Sequence, residues 1–117
     1  GGYRVQGRTD EAAKRLIDSA ANLDQAGADL LLLECVPNQV TEAIMKATSV
    51  PVIGIGAGPS TTGQVLVMHD LLGITSGKPA RFVKNFMQGA SSIQQAFEDY
   101  DRAVKQGAFP APEHCFE

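Results

Sequence analysis

This sequence of 117 residues lacks the sequence features of membrane proteins, secreted proteins and nucleic-acid-binding proteins. No apolar run approaches the roughly 18 residues that a membrane-spanning helix requires, and the first residues, GGYRVQGR, have no apolar segment of a secretion signal. The formal net charge is −3, and no cluster of Lys and Arg offers a surface for nucleic acid. We therefore expect a cytoplasmic protein that binds neither membranes nor nucleic acid.

Cysteine is scarce, with Cys35 in an apolar run and Cys115 near the end of the chain. Two cysteines are too few for a disulfide scaffold, and their spacing matches no zinc motif, so we expect reduced thiols. Cys35 has no base near it in the sequence, which favours a buried, unreactive thiol. His114 and Cys115 resemble half of a metal site, but the chain offers no second half, so we expect no metal ligands here.

The composition, with 44% hydrophobic and 20% charged residues, is that of a folded domain, and the length allows one domain at most. After a glycine-rich loop over residues 1–8, Thr9 is placed to cap a helix over residues 10–26. The leucines of residues 30–33 predict a strand buried on both faces. Asn38 then has the side chain of a helix N-cap, and a second buried strand is predicted over residues 52–55.

Helices and strands that alternate with short connections predict a parallel α/β sheet, either doubly wound or closed as a barrel. The β-branched residues favour a third strand over residues 64–69, with a helix over residues 61–72 as the alternative. We expect a short helix over residues 79–87 and a longer one over residues 91–106, capped by Ser91 or Ser92. The proline-containing tail, residues 108–117, is expected on the surface or against a neighbouring subunit.

Glu34 is the residue that points most directly to chemistry, because it ends the strand of leucines. Ligands bind at the carboxyl ends of strands in parallel α/β folds. A carboxylate at the rim of an apolar strand is partly desolvated, which makes it a better general base near neutral pH. The alternative is a strand-end carboxylate that pairs with a basic side chain or faces water.

Two other motifs are open to a functional and a structural interpretation. The glycines of Gly54-Ile55-Gly56-Ala57-Gly58 could let backbone N–H groups hold an anion, although a tight turn between a strand and a helix explains them equally well. His69 and Asp70 are adjacent, and neighbours on a strand point to opposite faces, so structural roles are favoured over a catalytic pair.

The segments GGYRVQGR, LLLLECVP, VPVIGIGAG, GQVLVMHD and PEHCF, in this order and spacing, resemble the C-terminal part of the ketopantoate hydroxymethyltransferase family. The resemblance implies a (β/α)8 TIM barrel and an enzyme of pantothenate biosynthesis. Such an enzyme transfers a hydroxymethyl group from 5,10-methylenetetrahydrofolate to 3-methyl-2-oxobutanoate and forms 2-dehydropantoate. It also implies small-molecule substrates, Mg²⁺ and a homo-oligomer.

The resemblance gives Glu34 the role of general base at C3 of the oxo acid, and it places Ile55, Val65 and Val67 on the apolar side of the substrate pocket. The family's Mg²⁺ ligands belong to motifs upstream of GGY, so none is expected in this chain. A TIM barrel takes about 250 residues. Residues 1–117 are therefore expected to form a single segment, the C-terminal half of the barrel, that pairs with an N-terminal half.

Two further hypotheses remain open beside the enzyme. One is a non-catalytic fragment whose helices serve only to complete an oligomer. The other is a phosphate-binding unit that uses the glycines of GIGAG.

Overall fold

The computed structural model describes residues 2–117 and contains four α-helices, three strands and a short 3₁₀ helix in that part of the chain. The elements in chain order are α1 (Asp10–Gln25), β1 (Leu31–Glu34), α2 (Asn38–Ala47), β2 (Val52–Ile55), β3 (Gly63–Gln64), α3 (Met68–Leu71), α4 (Ile93–Lys105) and the 3₁₀ helix (Pro112–His114). No helix within residues 2–117 is long and apolar enough to cross a membrane.

The strands form one parallel sheet in the order β1-β2-β3. Glu34 is paired with Ile55 at the carboxyl end of the first two strands, and Ile53 is paired with Gly63 in the second ladder. The predicted mixed α/β class with a parallel sheet is therefore confirmed, and β1 and β2 lie within one residue of their predicted positions. The carboxyl ends of the strands share one edge of the sheet.

One face of β1 is covered and the other is open, so the prediction that this strand is buried on both faces is wrong for this chain. Leu31 is buried, whereas Leu30 and Leu32 are 54% and 60% exposed. The covered face packs on α1 and α2, which lie on the same side of the sheet and share one core cluster. That core cluster consists of Ala20, Leu31, Val36, Val40, Ile44, Val52 and Ala57.

The predicted cap of α1 is confirmed, but that of α2 is wrong. Thr9 accepts a hydrogen bond from the backbone N–H of Ala12 at 3.1 Å, as an N-cap does. In α2 the capping position belongs to Pro37, whose ring cannot cap, and Asn38 is the first helical residue. The backbone N–H of Asn38 instead donates to the carbonyl of Phe116 at 3.0 Å, so the tail supplies the acceptor.

The third strand is shorter than predicted, and neither the strand over residues 64–69 nor the helix over residues 61–72 is present. The ladder ends where the N–H of Val65 donates to the carbonyl of Gly54, and α3 begins at Met68. Leu66 and Leu71 are both buried in one apolar cluster. Leu66 precedes α3 and Leu71 ends it, so the turn of α3 separates the two side chains along the chain.

The predicted helix over residues 79–87 is also wrong, because this segment consists of turns and irregular backbone. The Asn85 side chain accepts a hydrogen bond from the N–H of Met87, and the N–H of Phe86 donates to the carbonyl of Leu71. These bonds replace those of a helix. The helix predicted over residues 91–106 is confirmed as α4, and its N-cap is Ser92, which accepts from the N–H of Gln95.

The tail packs on the core of its own chain, so its predicted place on the surface is wrong, and its contact with a neighbouring subunit stays a prediction. Phe109, Cys115 and Phe116 are all buried. The Phe109 ring meets the rings of Phe86 and Tyr100 edge to face at 5.4 and 5.9 Å. The resulting second cluster contains Cys35, Ile55, Leu66, Leu71, Phe82, Phe86, Ala96, Phe109 and Phe116.

Candidate functional site

Glu34 is the last residue of β1 and stands at the carboxyl edge of the sheet. Its side chain is exposed, so the partial desolvation expected from the sequence is not present in this chain. The reason is the open face of the sheet: no helix of residues 2–117 covers the side of β1 to which Leu32 and Glu34 both point. The strand-end position itself agrees with the prediction.

A cavity of about 470 Å³ lies beside Glu34, between the end of β1 and the N-terminal segment. The N–H of Gln6 donates to the carbonyl of Cys35 at 2.8 Å, which ties the segment to the strand end. The Tyr3 ring meets the Phe82 ring edge to face at 5.1 Å and holds the other end. The cavity is lined by Gly2, Tyr3, Arg4, Gln6, Glu34 and Cys35.

Three of these lining residues, Tyr3, Arg4 and Gln6, are not predicted from the sequence as site residues. Glycines around them indicate only a loop, and no periodicity connects them with Glu34. The one available signal is that GGYRVQGR belongs to the segments that carry the family resemblance. Two tertiary contacts, the bond between Gln6 and Cys35 and the ring contact between Tyr3 and Phe82, bring them to the strand end.

Cys35 is 2% exposed, which confirms the predicted buried thiol. Burial raises the pKa of the Cys35 thiol, and the negative charge of Glu34 raises it further, so the thiol stays protonated near neutral pH. Its φ of 54° lies in the left-handed region, which residues other than glycine seldom adopt. The backbone therefore turns sharply directly after Glu34 and sends the next side chain into the core.

Ile55, Val65 and Val67 occupy two different environments. Ile55 is the register partner of Glu34 but is buried in the cluster that contains Cys35 and Phe82. Val65 and Val67 are 44% and 46% exposed on either side of the buried Leu66, and both lie beyond the end of β3. None of the three lines the cavity beside Glu34. Their role as pocket residues stays a prediction.

The glycine turn after β2 is filled by side chains of the chain itself. Gly56 and Gly58 have φ values of 64° and 78°, which suit glycine. A Cβ at Gly56 would lie 2.9 Å from the Phe82 ring, and one at Gly58 would overlap Oδ1 of Asn38. Little room is left for an anion, which favours the interpretation as a tight turn.

The two histidines have no catalytic geometry. His69 and Asp70 lie on α3 rather than on the predicted strand, and the Asp70 carboxylate accepts a hydrogen bond from the Thr75 hydroxyl. Nδ1 of His114 accepts from the N–H of Ala111 at 3.0 Å. Burial lowers the pKa of His114, and Lys84 lowers it further, while Glu113 opposes the shift. His114 is therefore neutral near pH 7 and holds the tail.

Comparison with known proteins gives a consistent result over the whole chain. The family model described as Ketopantoate hydroxymethyltransferase matches residues 1–112. The chain is 59% identical over 116 residues to the 3-methyl-2-oxobutanoate hydroxymethyltransferase of Chromohalobacter salexigens, and 58% identical over 116 residues to that of Alcanivorax borkumensis. The protein of that name from Nitrosospira multiformis is 54% identical over 116 residues. Each match covers 99% of this chain but 44% of the relative, so the chain spans under half of their length.

Proposed function

Because the chain belongs to the ketopantoate hydroxymethyltransferase family, we propose that it supplies the general base of a hydroxymethyl transfer. The complete protein would transfer the group from 5,10-methylenetetrahydrofolate to 3-methyl-2-oxobutanoate and form 2-dehydropantoate for pantothenate biosynthesis. The observation that carries the proposal is the place of Glu34, at the carboxyl end of β1 and beside a cavity of about 470 Å³.

In the proposed reaction, a carboxylate oxygen of Glu34 takes the proton from C3 of the oxo acid, and the C3–H electron pair becomes part of the enolate. The enolate carbon then forms a bond to the methylene carbon of the folate as one of that carbon's two bonds to folate nitrogens breaks. Water supplies the hydroxyl group as the second carbon–nitrogen bond breaks, and the two nitrogens take up the proton lost from C3 and one proton from water. A positioned general base contributes roughly 100- to 10,000-fold to such a rate, or about 3–5 kcal/mol of barrier.

We further propose that the open face of the sheet is the interior of a (β/α)8 barrel and that this chain is its C-terminal half. Leu30, Leu32, Val65 and Val67 leave apolar surface uncovered on the described chain. Three strands with helices on one side cannot close, and closure by the rest of the barrel would bury this surface. Glu34 would then lie at the rim of the closed barrel. The homo-oligomer and the cytoplasmic location remain predictions.

Magnesium is implied by the family resemblance, which places its ligands in motifs upstream of this chain. Residues 2–117 contain no group of three or more His, Cys, Asp or Glu side chains that could hold a metal ion. We therefore propose that the ligands of any Mg²⁺ come from outside this chain. The role proposed for Glu34 is proton transfer alone.

The test uses a complete protein that contains this chain, with Glu34→Gln compared with wild type. Exchange of the C3 proton of 3-methyl-2-oxobutanoate into deuterated water, followed by NMR, is expected to slow by about 100- to 10,000-fold, because glutamine cannot accept the proton. Binding of the oxo acid, measured by calorimetry, should persist. Glu42→Gln, at an exposed position of α2, is the matched control. Exchange at the wild-type rate in Glu34→Gln would refute the assignment.

A further inference from the structure

Residues 3–6 contribute to two neighbouring cavities, and Tyr3 lines both of them. Tyr3 and Val5 line an apolar cavity of about 260 Å³ whose other walls include Cys35 and Phe82. Arg4, between them, lines the cavity that contains Glu34. Because the segment is fastened at both ends, by the Tyr3–Phe82 contact and by the N–H of Gln6, the backbone of Arg4 is held above the strand end. This backbone places Arg4 in the lining of the same cavity as Glu34.

The two charged side chains of this cavity, those of Arg4 and Glu34, are not joined by a salt bridge in the described part of the chain. No ion pair among residues 2–117 includes Arg4 or Glu34. The side chain of Gln6 donates to the backbone carbonyl of Arg4 at 3.2 Å and so does not engage the guanidinium. A guanidinium presents a planar fork of N–H donors that matches a carboxylate with two parallel hydrogen bonds. The cavity therefore offers a base on one side and a receptor for an anion on the other.

We propose that Arg4 binds a carboxylate of a substrate beside Glu34. The inference rests on the proposed hydroxymethyl transfer, in which both reactants carry carboxylates: the oxo acid has one, and the glutamyl tail of the folate has others. The chemistry that Arg4 recognises is the same in the two cases. Arg4 is a binding residue and takes no part in the proton transfer.

The experiment uses a complete protein that contains this chain, as wild type, Arg4→Gln and Arg4→Lys. Loss of a charge-assisted, two-pronged contact is expected to weaken apparent binding of the affected substrate, with KM raised by about 10- to 100-fold in Arg4→Gln. Lysine keeps the positive charge but cannot form two parallel hydrogen bonds, so the KM of Arg4→Lys should lie between those of wild type and Arg4→Gln. Arg4→Lys also serves as a second test if Arg4→Gln does not fold. Arg15→Gln is the control, because Arg15 pairs with Glu11 on the exposed surface of α1.

Two arms identify the source of the carboxylate. If the oxo acid supplies it, the KM for the oxo acid rises in C3 proton exchange without folate. If the folate supplies it, exchange is unchanged and the KM for the folate co-substrate rises. In that case wild type and Arg4→Gln should have the same KM for the pteroate analogue of the co-substrate, because this analogue lacks the glutamyl group. Unchanged KM values for both substrates, or an equal effect of Arg15→Gln, would overturn the proposal. Glu34→Gln tests the base separately, since it slows exchange whatever Arg4 does.

Discussion

The turn after β2 allows a stability prediction whose size follows from the structure. Gly56 has a φ of 64°, and a Cβ at this position would lie 2.9 Å from Cδ1 of Phe82 and 3.4 Å from the Phe116 ring. Gly56→Ala therefore combines the cost of left-handed backbone, about 1–2 kcal/mol, with overpacking of a filled core, about 1–3 kcal/mol. We expect a loss of roughly 2–5 kcal/mol in the free energy of unfolding.

The matched control is Gly107→Ala, because Gly107 has a φ of 74° but no atom within 4 Å of a built Cβ. It carries the backbone cost alone, so a loss of about 1–2 kcal/mol is expected. Urea unfolding of a complete protein containing either substitution measures the two values by linear extrapolation. Equal losses in the two variants would refute the argument that Phe82 and Phe116 leave no room at Gly56.

Two further predictions concern acid stability and the isolated chain. The folded-state pKa of His114 is lowered, so its contribution to stability is present above the unfolded pKa of about 6.5 and is lost as pH falls through the folded value. Wild type should therefore lose more stability between pH 7 and pH 5 in urea unfolding than His114→Asn, and parallel losses would contradict this. The isolated chain should show no C3 proton exchange and should bind a hydrophobic dye at its open sheet face. C3 proton exchange by the isolated chain would contradict the proposal that the chain needs the rest of the barrel for activity. If the chain is instead a purely structural fragment, Glu34→Gln in the complete protein should not change the exchange rate.

The parts of the fold that the sequence predicts are those decided by local interactions. The helices α1 and α4 have a capping side chain and apolar residues at helical spacing, and both occur where these signals place them. Short apolar runs between helices likewise predict β1 and β2 correctly. For the candidate site, the same local reasoning places Glu34 at the strand end.

The incorrect predictions concern segments whose backbone bonds go to distant residues. Residues 79–87 have apolar spacing typical of a helix, yet the N–H of Phe86 bonds to Leu71 instead. Asn38 loses the capping position because Phe116, far along the chain, supplies an acceptor. Arg4 reaches the site through the bond between Gln6 and Cys35 and the ring contact between Tyr3 and Phe82. No pattern within a short window of sequence contains these partners.

The clamped backbone at Cys35 limits how far the proposed base can move. The N–H of Cys35 donates to the carbonyl of Ile55 at 3.0 Å, and its own carbonyl accepts from Gln6. With both backbone groups engaged, the peptide after Glu34 cannot swing, and only the side-chain torsions of Glu34 remain to be fixed when substrate binds. Ordering one such side chain costs on the order of 1–2 kcal/mol, whereas a base on a mobile loop would add a similar entropy loss for every backbone residue it orders. The backbone that positions the proposed base therefore loses its conformational entropy once, when the chain folds, and not again each time substrate binds.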